Sequence, residues 1–506
     1  MSLFKSAAIV SMLTFCSRIL GYVRDMLIAA TMGAGMLADV FLVAFRLPNL
    51  FRQLSAEGAL NNAFVPMFSK NQDTVFASHV LSWMVLVLVV FTIVIEIFMS
   101  QVMMLLAPGF IDDPQAMDLL VMSGRIMFPY LIMISVVSLF NGMLQSVKRF
   151  AFAALAPVIV NIIMISCLLW FIDQGQTPVH TLSVAVTIAG VVQVVVLYSA
   201  VRWAGLQIRL LPPKATSDVA VFFKRMLPGI IGGGVTQLNL WINTLLATTL
   251  SGAVSYLYYA DRLVQFPLAL IGTALGIALL PALSRQIGDN QKDEAINTQN
   301  QAIEVAMLLA LPASAGLWFI APLAIEVIFE RGAFTAANTI ATSDALRMYV
   351  LGLPAFVLIK LYLPAFFAAG DTKTPVKIAL GCLVLNLTLN LLLIGPMQHL
   401  GLALSTALTA WVNVGLLVAV LTARKAYWFD RDVLLGVIKS VCITGFMVLV
   451  LVVFDYSGLS SFEGTSQLGA IILVGVVSYV AGVSVFGYHT TLIARLKNRH
   501  GVKTQH

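Results

Sequence analysis

Seven ionised side chains stand between Ser17 and Pro66 in a stretch otherwise apolar enough for a bilayer: Arg18, Arg24, Asp25, Asp39, Arg46, Arg52 and Glu57. One charge at bilayer depth costs about 2.5–3.5 kcal/mol on insertion scales. Four guanidinium groups there imply a hydrated cavity that receives an anion, and their planar forks suit a phosphate. Arg46, Asn49 and Arg52 follow at i+3 spacing and share a helix face, with Pro48 able to kink it. Arg18 and Arg24 are six positions apart, about 240° round a regular helix, so they face one cavity only if the helix bends, and Gly21 is where it could. The alternative is structural: some of these arginines pair with Asp25, Asp39 or Glu57, or reach an interface.

Three other groups carry weaker chemistry. Asp261-Arg262 lies inside YYADRLVQFP, where Asp261 is either a cavity residue or a structural partner of Arg262. Asn386/Asn390 and Asn239/Asn243 are i,i+4 pairs whose amide oxygens suit Na⁺, but with no carboxylate nearby in sequence, hydrogen bonding between helices is the simpler expectation. GDTKTPVKIAL (370–380) reads as a turn and helix start.

The elements that must hold these groups are membrane helices. The chain has 506 residues, 60% hydrophobic and 10% charged, against about 25% charged in a soluble domain. Apolar runs predict an all-α polytopic protein of about 14 spans, at 6–32, 37–66, 78–107, 119–147, 151–172, 179–204, 219–250, 253–284, 299–328, 339–369, 374–394, 400–423, 432–454 and 468–490. The loops at 108–118, 173–178, 393–400 and 455–467 hold no Lys or Arg, whereas the alternate loops hold Lys148-Arg149, Arg202/Arg209/Lys214, Arg285/Lys292, Lys373/Lys377 and Arg424-Lys425. That alternation places both termini in the cytoplasm. The net charge of +7 sits at loops and helix ends and does not imply nucleic-acid binding. Cys16, Cys167, Cys382 and Cys442 lie in apolar runs and the six histidines show no metal-ligand spacing, so no disulfide, metal or cofactor is expected.

A weak repeat relates the halves. DVFLVAFRL at Asp39 matches SYLYYADRL at Ser255, aligning Arg46-Leu47 with Arg262-Leu263. The reading is a parallel repeat of two six-helix lobes, 1–206 and 219–428, joined by a cytoplasmic linker at 207–218. A two-helix C-terminal appendage (429–494) and a cytoplasmic tail (495–506) follow.

SRILGYVRD, FRLPNLFR-x₃-AEGALNNAFVP, YYADRL-x₂-FP and DTKTPVKIA, in this order, resemble the signatures of the MurJ (MviN) lipid II flippases, within the multidrug/oligosaccharidyl-lipid/polysaccharide exporter superfamily. The resemblance covers essentially the whole chain. It implies two lobes around a central cavity, two final helices forming a lipid-facing groove, and movement of lipid II from the cytoplasmic to the periplasmic leaflet of the bacterial inner membrane. Residue by residue, it carries the cavity arginines onto Arg18, Arg24, Arg52 and Arg262, and supporting roles onto Asp25, Asp39, Asn49 and Ser255, beside Asp261. Where relatives commonly have Glu, this chain has Gln265, and the carboxylate of a family sodium site is missing, so Na⁺ coupling is not carried over. The expected partners are lipid II and membrane lipids, with a functional monomer and cell-wall synthesis proteins as candidate associates. An exporter of another lipid-linked oligosaccharide or a drug is the alternative transporter, although a drug exporter would want an acidic cavity. A membrane glycosyltransferase would want a sizeable outer domain and a catalytic acid, base or metal.

Overall fold

The computed structural model describes residues 3–53, 60–171, 177–428, 430–457 and 464–485. Glu57 and the tail at 495–506 lie outside them. All regular structure among the described residues is helical. In chain order the helices are α1 (Leu3–Met32), α2 (Met36–Phe51), α3 (Leu60–Asn71), α4 (Thr74–Ile97), α5 (Met99–Leu106), α6 (Pro114–Met127), α7 (Tyr130–Ser146), α8 (Ala151–Phe171), α9 (Pro178–Trp203), α10 (Ser217–Thr248), α11 (Ala253–Pro267), α12 (Ala274–Gly288), α13 (Lys292–Phe329), α14 (Ala336–Val350), α15 (Leu353–Ala368), α16 (Lys373–Met397), α17 (His399–Ala423), α18 (Arg431–Tyr456) and α19 (Thr465–Val485).

Nine helical stretches among the described residues are long and apolar enough to cross a membrane, and α14 with α15, bent by 41°, makes a tenth. The remaining four expected spans fall on α1, α2, α8 and α10. Of these, α2 is only 16 residues long, and α8 holds the shorter apolar stretch Ala154–Trp170. The helices are thus compatible with 14 crossings.

Helices α2 and α3 are the described parts of the run expected at 37–66. The run at 253–284 passes through a π-helical segment, Leu268–Thr273, directly after Pro267. Proline supplies no amide to the helix ladder, which favours such a widened turn. In contrast α10 continues through Pro228.

The chain forms two compact units. The first comprises Met1–Ser255 with Arg331–Thr335, and the second Tyr256–Glu330 with Ala336–His506. In the first, α8 packs between α1 and α9, α2 packs on α6, and α10 lies against α3 and α4. Helix α10 therefore packs with the amino-terminal helices within the first unit. The short run Arg331–Thr335 joins the first unit because the Ala333 amide donates to the Ala30 carbonyl at the end of α1 (2.8 Å). In the second unit, α13 is the axis: α12, α14, α15, α18 and α19 all pack on it. The last two helices meet it through Met447, Leu451 and Ile471, packed with Phe319, Ile320 and Leu323.

Candidate functional site

Helix α1 carries the first two candidates on different faces. Arg18 is exposed, roughly fifteen residues from either end of the helix. Its side chain makes no hydrogen bond or ion pair among the described residues. Arg24 is buried: it donates from Nε and Nη2 to Asp25 Oδ1 (3.0 and 2.7 Å) and from Nη1 to Asn161 Oδ1 of α8 (3.0 Å). The Arg24 and Asp25 side chains are only 10% and 2% exposed. Asn161 Nδ2 in turn donates to the Ser17 carbonyl (3.0 Å), so one amide of α8 ties together two turns of α1. The pairing of an arginine with a neighbouring carboxylate is therefore what the structure shows for Arg24. A guanidinium can hold such partners and still present charge to a cavity, but its charge is largely offset locally.

Helix α2 carries Asp39, Arg46, Asn49 and Arg52. Asp39 is 1% exposed and acts across elements: Oδ2 accepts the Gly252 amide (2.9 Å), and Oδ1 accepts the Ser255 amide (2.8 Å) and Ser255 Oγ (2.6 Å). These are the orphan donors at the start of α11, so a carboxylate from α2 caps another helix. Gly252 adopts φ +76, which a side chain would strain. Arg46 donates to Thr244 Oγ1 of α10, and Gln237 of α10 donates to Gln53. Half-buried Arg52 donates from Nε to Asn49 Oδ1 (2.7 Å), the i+3 contact expected from spacing.

In the second unit, Arg262 is half-buried on α11. It donates from Nη2 to the Tyr258 hydroxyl (2.5 Å), its guanidinium carbon 4.7 Å from that ring's centroid. Asp261 accepts the Gln265 amide at 3.2 and 3.4 Å. A glutamate at position 265 would face Asp261 with a like charge, whereas the amide donates to it. The i,i+4 pair on α16 bonds to itself, Asn390 Nδ2 to Asn386 Oδ1 (3.0 Å). Asn239 Oδ1 is buried without a hydrogen-bond partner among the described residues. No group of His, Cys, Asp and Glu able to hold a metal is found among the described residues.

The DTKTP stretch forms a clamp outside the membrane-spanning segments. Asp371 Oδ1 accepts the Lys373 and Thr374 amides (3.1 and 3.0 Å), and Arg424 at the end of α17 reaches Asp371 Oδ2 (2.6 Å) and Thr374 Oγ1 (2.9 Å). The hydrogen bonds from Thr374, and then from Arg424, hold the Asp371 carboxyl well below its usual range.

Sequence spacing missed Asn161, Thr244, Gln237 and Tyr258. Two had a signal: Asn161 is a lone amide in the apolar run PVIVNIIMI, and Tyr258 stands four residues before Arg262. Thr244 and Gln237 had none, because their partners are nearly 200 residues away.

The family model described as lipid II flippase MurJ matches residues 28–468. A probable lipid II flippase MurJ of Rhizobium tropici is 40% identical over 497 residues, covering 95% of this chain and 93% of the relative. The lipid II flippase MurJ of Burkholderia cenocepacia is 36% identical over 510 residues, covering 96% and 98%. Among solved structures, a lipid II flippase MurJ in an inward closed conformation superimposes with TM-score 0.83 at 23% identity, covering 95% of this chain and 99% of that one. An inward-facing multidrug resistance MATE transporter of the MOP superfamily gives 0.66 at 15% identity over 81% and 95%. This multi-pass membrane protein therefore belongs to the family of MurJ lipid II flippases.

Proposed function

We propose that the protein is a transporter that carries lipid II, the polyprenyl-pyrophosphate-linked precursor of peptidoglycan, from the cytoplasmic to the periplasmic leaflet by alternating access. Family membership supports the substrate. The observation that carries the binding assignment is Arg18: a guanidinium in the middle of an apolar helix, exposed and without a partner among the described residues. At about 1.5 Å per residue it is some 20 Å from either helix end, too far to reach an interface, so it calls for water or an anion. In this reading Arg18, Arg24, Arg52 and Arg262 bind the pyrophosphate. Asp25 and Asn49 orient Arg24 and Arg52, Asp39 and Ser255 fix the start of the helix bearing Arg262, and Asp261 holds Gln265.

The lobes 1–206 and 219–428 move about the substrate while the polyprenyl tail stays in lipid along the 429–494 appendage. The alternation of basic loops supports an inner-membrane orientation with linker 207–218, tail 495–506 and both termini cytoplasmic. We take the monomer as the working unit, free to associate with cell-wall synthesis proteins. The test is leaflet exchange of lipid II in vesicles holding the purified protein. Exchange should require the protein and fall sharply in Arg18→Ala; absence of exchange with the unaltered chain overturns the reading.

A further inference from the structure

At one end of the first unit, α7 ends, α8 begins and α9 ends beside one another. Lys148, at φ +61, closes α7, with its amide bonded to the Gln145 carbonyl (2.9 Å) and the Arg149 amide to the Leu144 carbonyl (2.8 Å). This turn throws the Arg149 side chain across to α9, where its guanidinium carbon lies 4.2 Å from the centroid of the Trp203 ring. Phe152 meets the same indole edge-on at 6.3 Å. Trp203 is 72% exposed, and Lys148 and Arg202 are exposed beside it.

The guanidinium has no acceptor. Its Nη1 is buried with no hydrogen-bond partner, and the side chain makes no ion pair or hydrogen bond among the described residues. Nε and Nη2 are not closed off in this way, and they form the edge that receives two oxygens at once. Stacking on the indole fixes the plane of the fork in advance. Two residues on, α8 begins and adds the positive end of its dipole. No Asp or Glu occurs at 119–172 or 174–217, while Lys148, Arg149, Arg202, Arg209 and Lys214 all do. An exposed tryptophan at a helix end marks the boundary between headgroups and hydrocarbon. A free phosphate would have no use for that indole, whereas a lipid phosphate lies beside its own acyl chains.

We propose that Arg149, Trp203, Lys148 and Arg202 form a binding site for the headgroup phosphate of an anionic phospholipid, separate from the arginines assigned to lipid II. Only the name of the leaflet, cytoplasmic, rests on the orientation proposed above. The site anchors the α7–α8–α9 corner of the first unit to the charged leaflet, as basic pockets between membrane helices do.

Native mass spectrometry of the full chain, released from detergent with equal phosphatidylglycerol and phosphatidylcholine, tests this without lipid II, so its failure is distinct from failure of flipping. The unaltered protein should retain phosphatidylglycerol over phosphatidylcholine. Arg149→Gln should reduce that preference about fivefold or more, the factor one basic residue contributes at an anionic surface. Trp203→Leu should reduce it less, and Arg149→Lys, which keeps the charge and the fold, should lose part of it. Lys377→Gln, exposed near the start of α16 in the second unit, should leave it unchanged. Equal retention of the two lipids by the unaltered protein overturns the proposal. So does an Arg149→Gln preference equal to that of Lys377→Gln, or displacement of the bound lipid by glycerol phosphate and polyprenyl pyrophosphate alike.

Discussion

Arginines of one type play different parts here, so their substitutions should fail in different ways. Arg18→Ala breaks no hydrogen bond among the described residues. The protein should accumulate normally in membranes and lose transport by roughly ten- to hundredfold, the worth of about 1.5–3 kcal/mol for a charge-assisted bond to pyrophosphate; Arg18→Lys should recover only part. Arg24→Ala removes at least the two hydrogen bonds to Asp25 and the one to Asn161. Breaking a buried pair costs about 3–5 kcal/mol, so lost protein should dominate, and Arg24→Ala/Asp25→Asn should restore abundance without restoring transport. Blotting of membranes alongside lipid II exchange separates the two, and full transport by the double variant would assign Arg24 a structural role alone. Gln265→Ala gives up one amide contact to Asp261 and should be milder than Arg262→Ala; equal loss in both would show that the amide itself is required. The site was readable at this scale only so far as partners lie close in sequence. Spacing placed Asn49 with Arg52 and offered Asp25 for Arg24. It could not say which residue Asn161 or Thr244 would meet, because a polar residue on an apolar helix does not disclose which distant helix it will face.

Helices were legible wherever apolar length alone decides them, and illegible where chain chemistry interrupts an apolar run. The π segment after Pro267, inside the span expected at 253–284, left no mark on hydropathy. The cap of α11 shows another limit: Asp39 and Ser255 are 216 residues apart, so no capping signature exists locally. Asp39→Ala would bare the Gly252 and Ser255 amides and should lower the thermal midpoint in detergent far more than Ser255→Ala, which leaves both amides satisfied. The latter should cost about 1 kcal/mol, the worth of one hydrogen bond. The Asp371 clamp has a definite pH signature. Its folded carboxyl titrates below the ordinary value of about 3.9. Its contribution is thus fully present above that ordinary value and is lost only as pH falls through the depressed one. Asp371→Asn should therefore lower the midpoint by the same amount at every pH from 5 to 8, with the gap to the unaltered protein closing only in stronger acid. A gap that shrinks between pH 8 and 6 would show that another group titrates there.

At the scale of the whole chain, charge decides which way the protein lies. Basic residues gather on alternate loops, and polar exposed turns mark both faces. Impermeant thiol labelling of intact cells reads this directly, in a background with the exposed Cys442 replaced by serine. On the face that the proposed orientation puts outside, Asp112 is the better probe than Asp113, since Asp113 Oδ1 caps α6 by accepting the Ala116 amide (3.1 Å) and its loss would unsettle the helix. On the face that the proposed orientation puts inside, Lys292 is exposed at the start of α13, and Thr372 is exposed in the turn before α16 without a side-chain contact of its own among the described residues. Asp112→Cys should label from outside, whereas Lys292→Cys and Thr372→Cys should label only after the membrane is opened. The loops at Asp112 and Lys292 are separated by an odd number of crossings if α6/α7, α8, α9, α10 and α11/α12 each cross once, which makes five. Labelling of both from outside in intact cells would remove one of those crossings, and the helix to suspect is α10, whose apolar length is interrupted by Lys224 and Arg225. Labelling of Lys292→Cys alone would instead invert the chain, placing its basic loops outside against the charge bias that orients membrane helices.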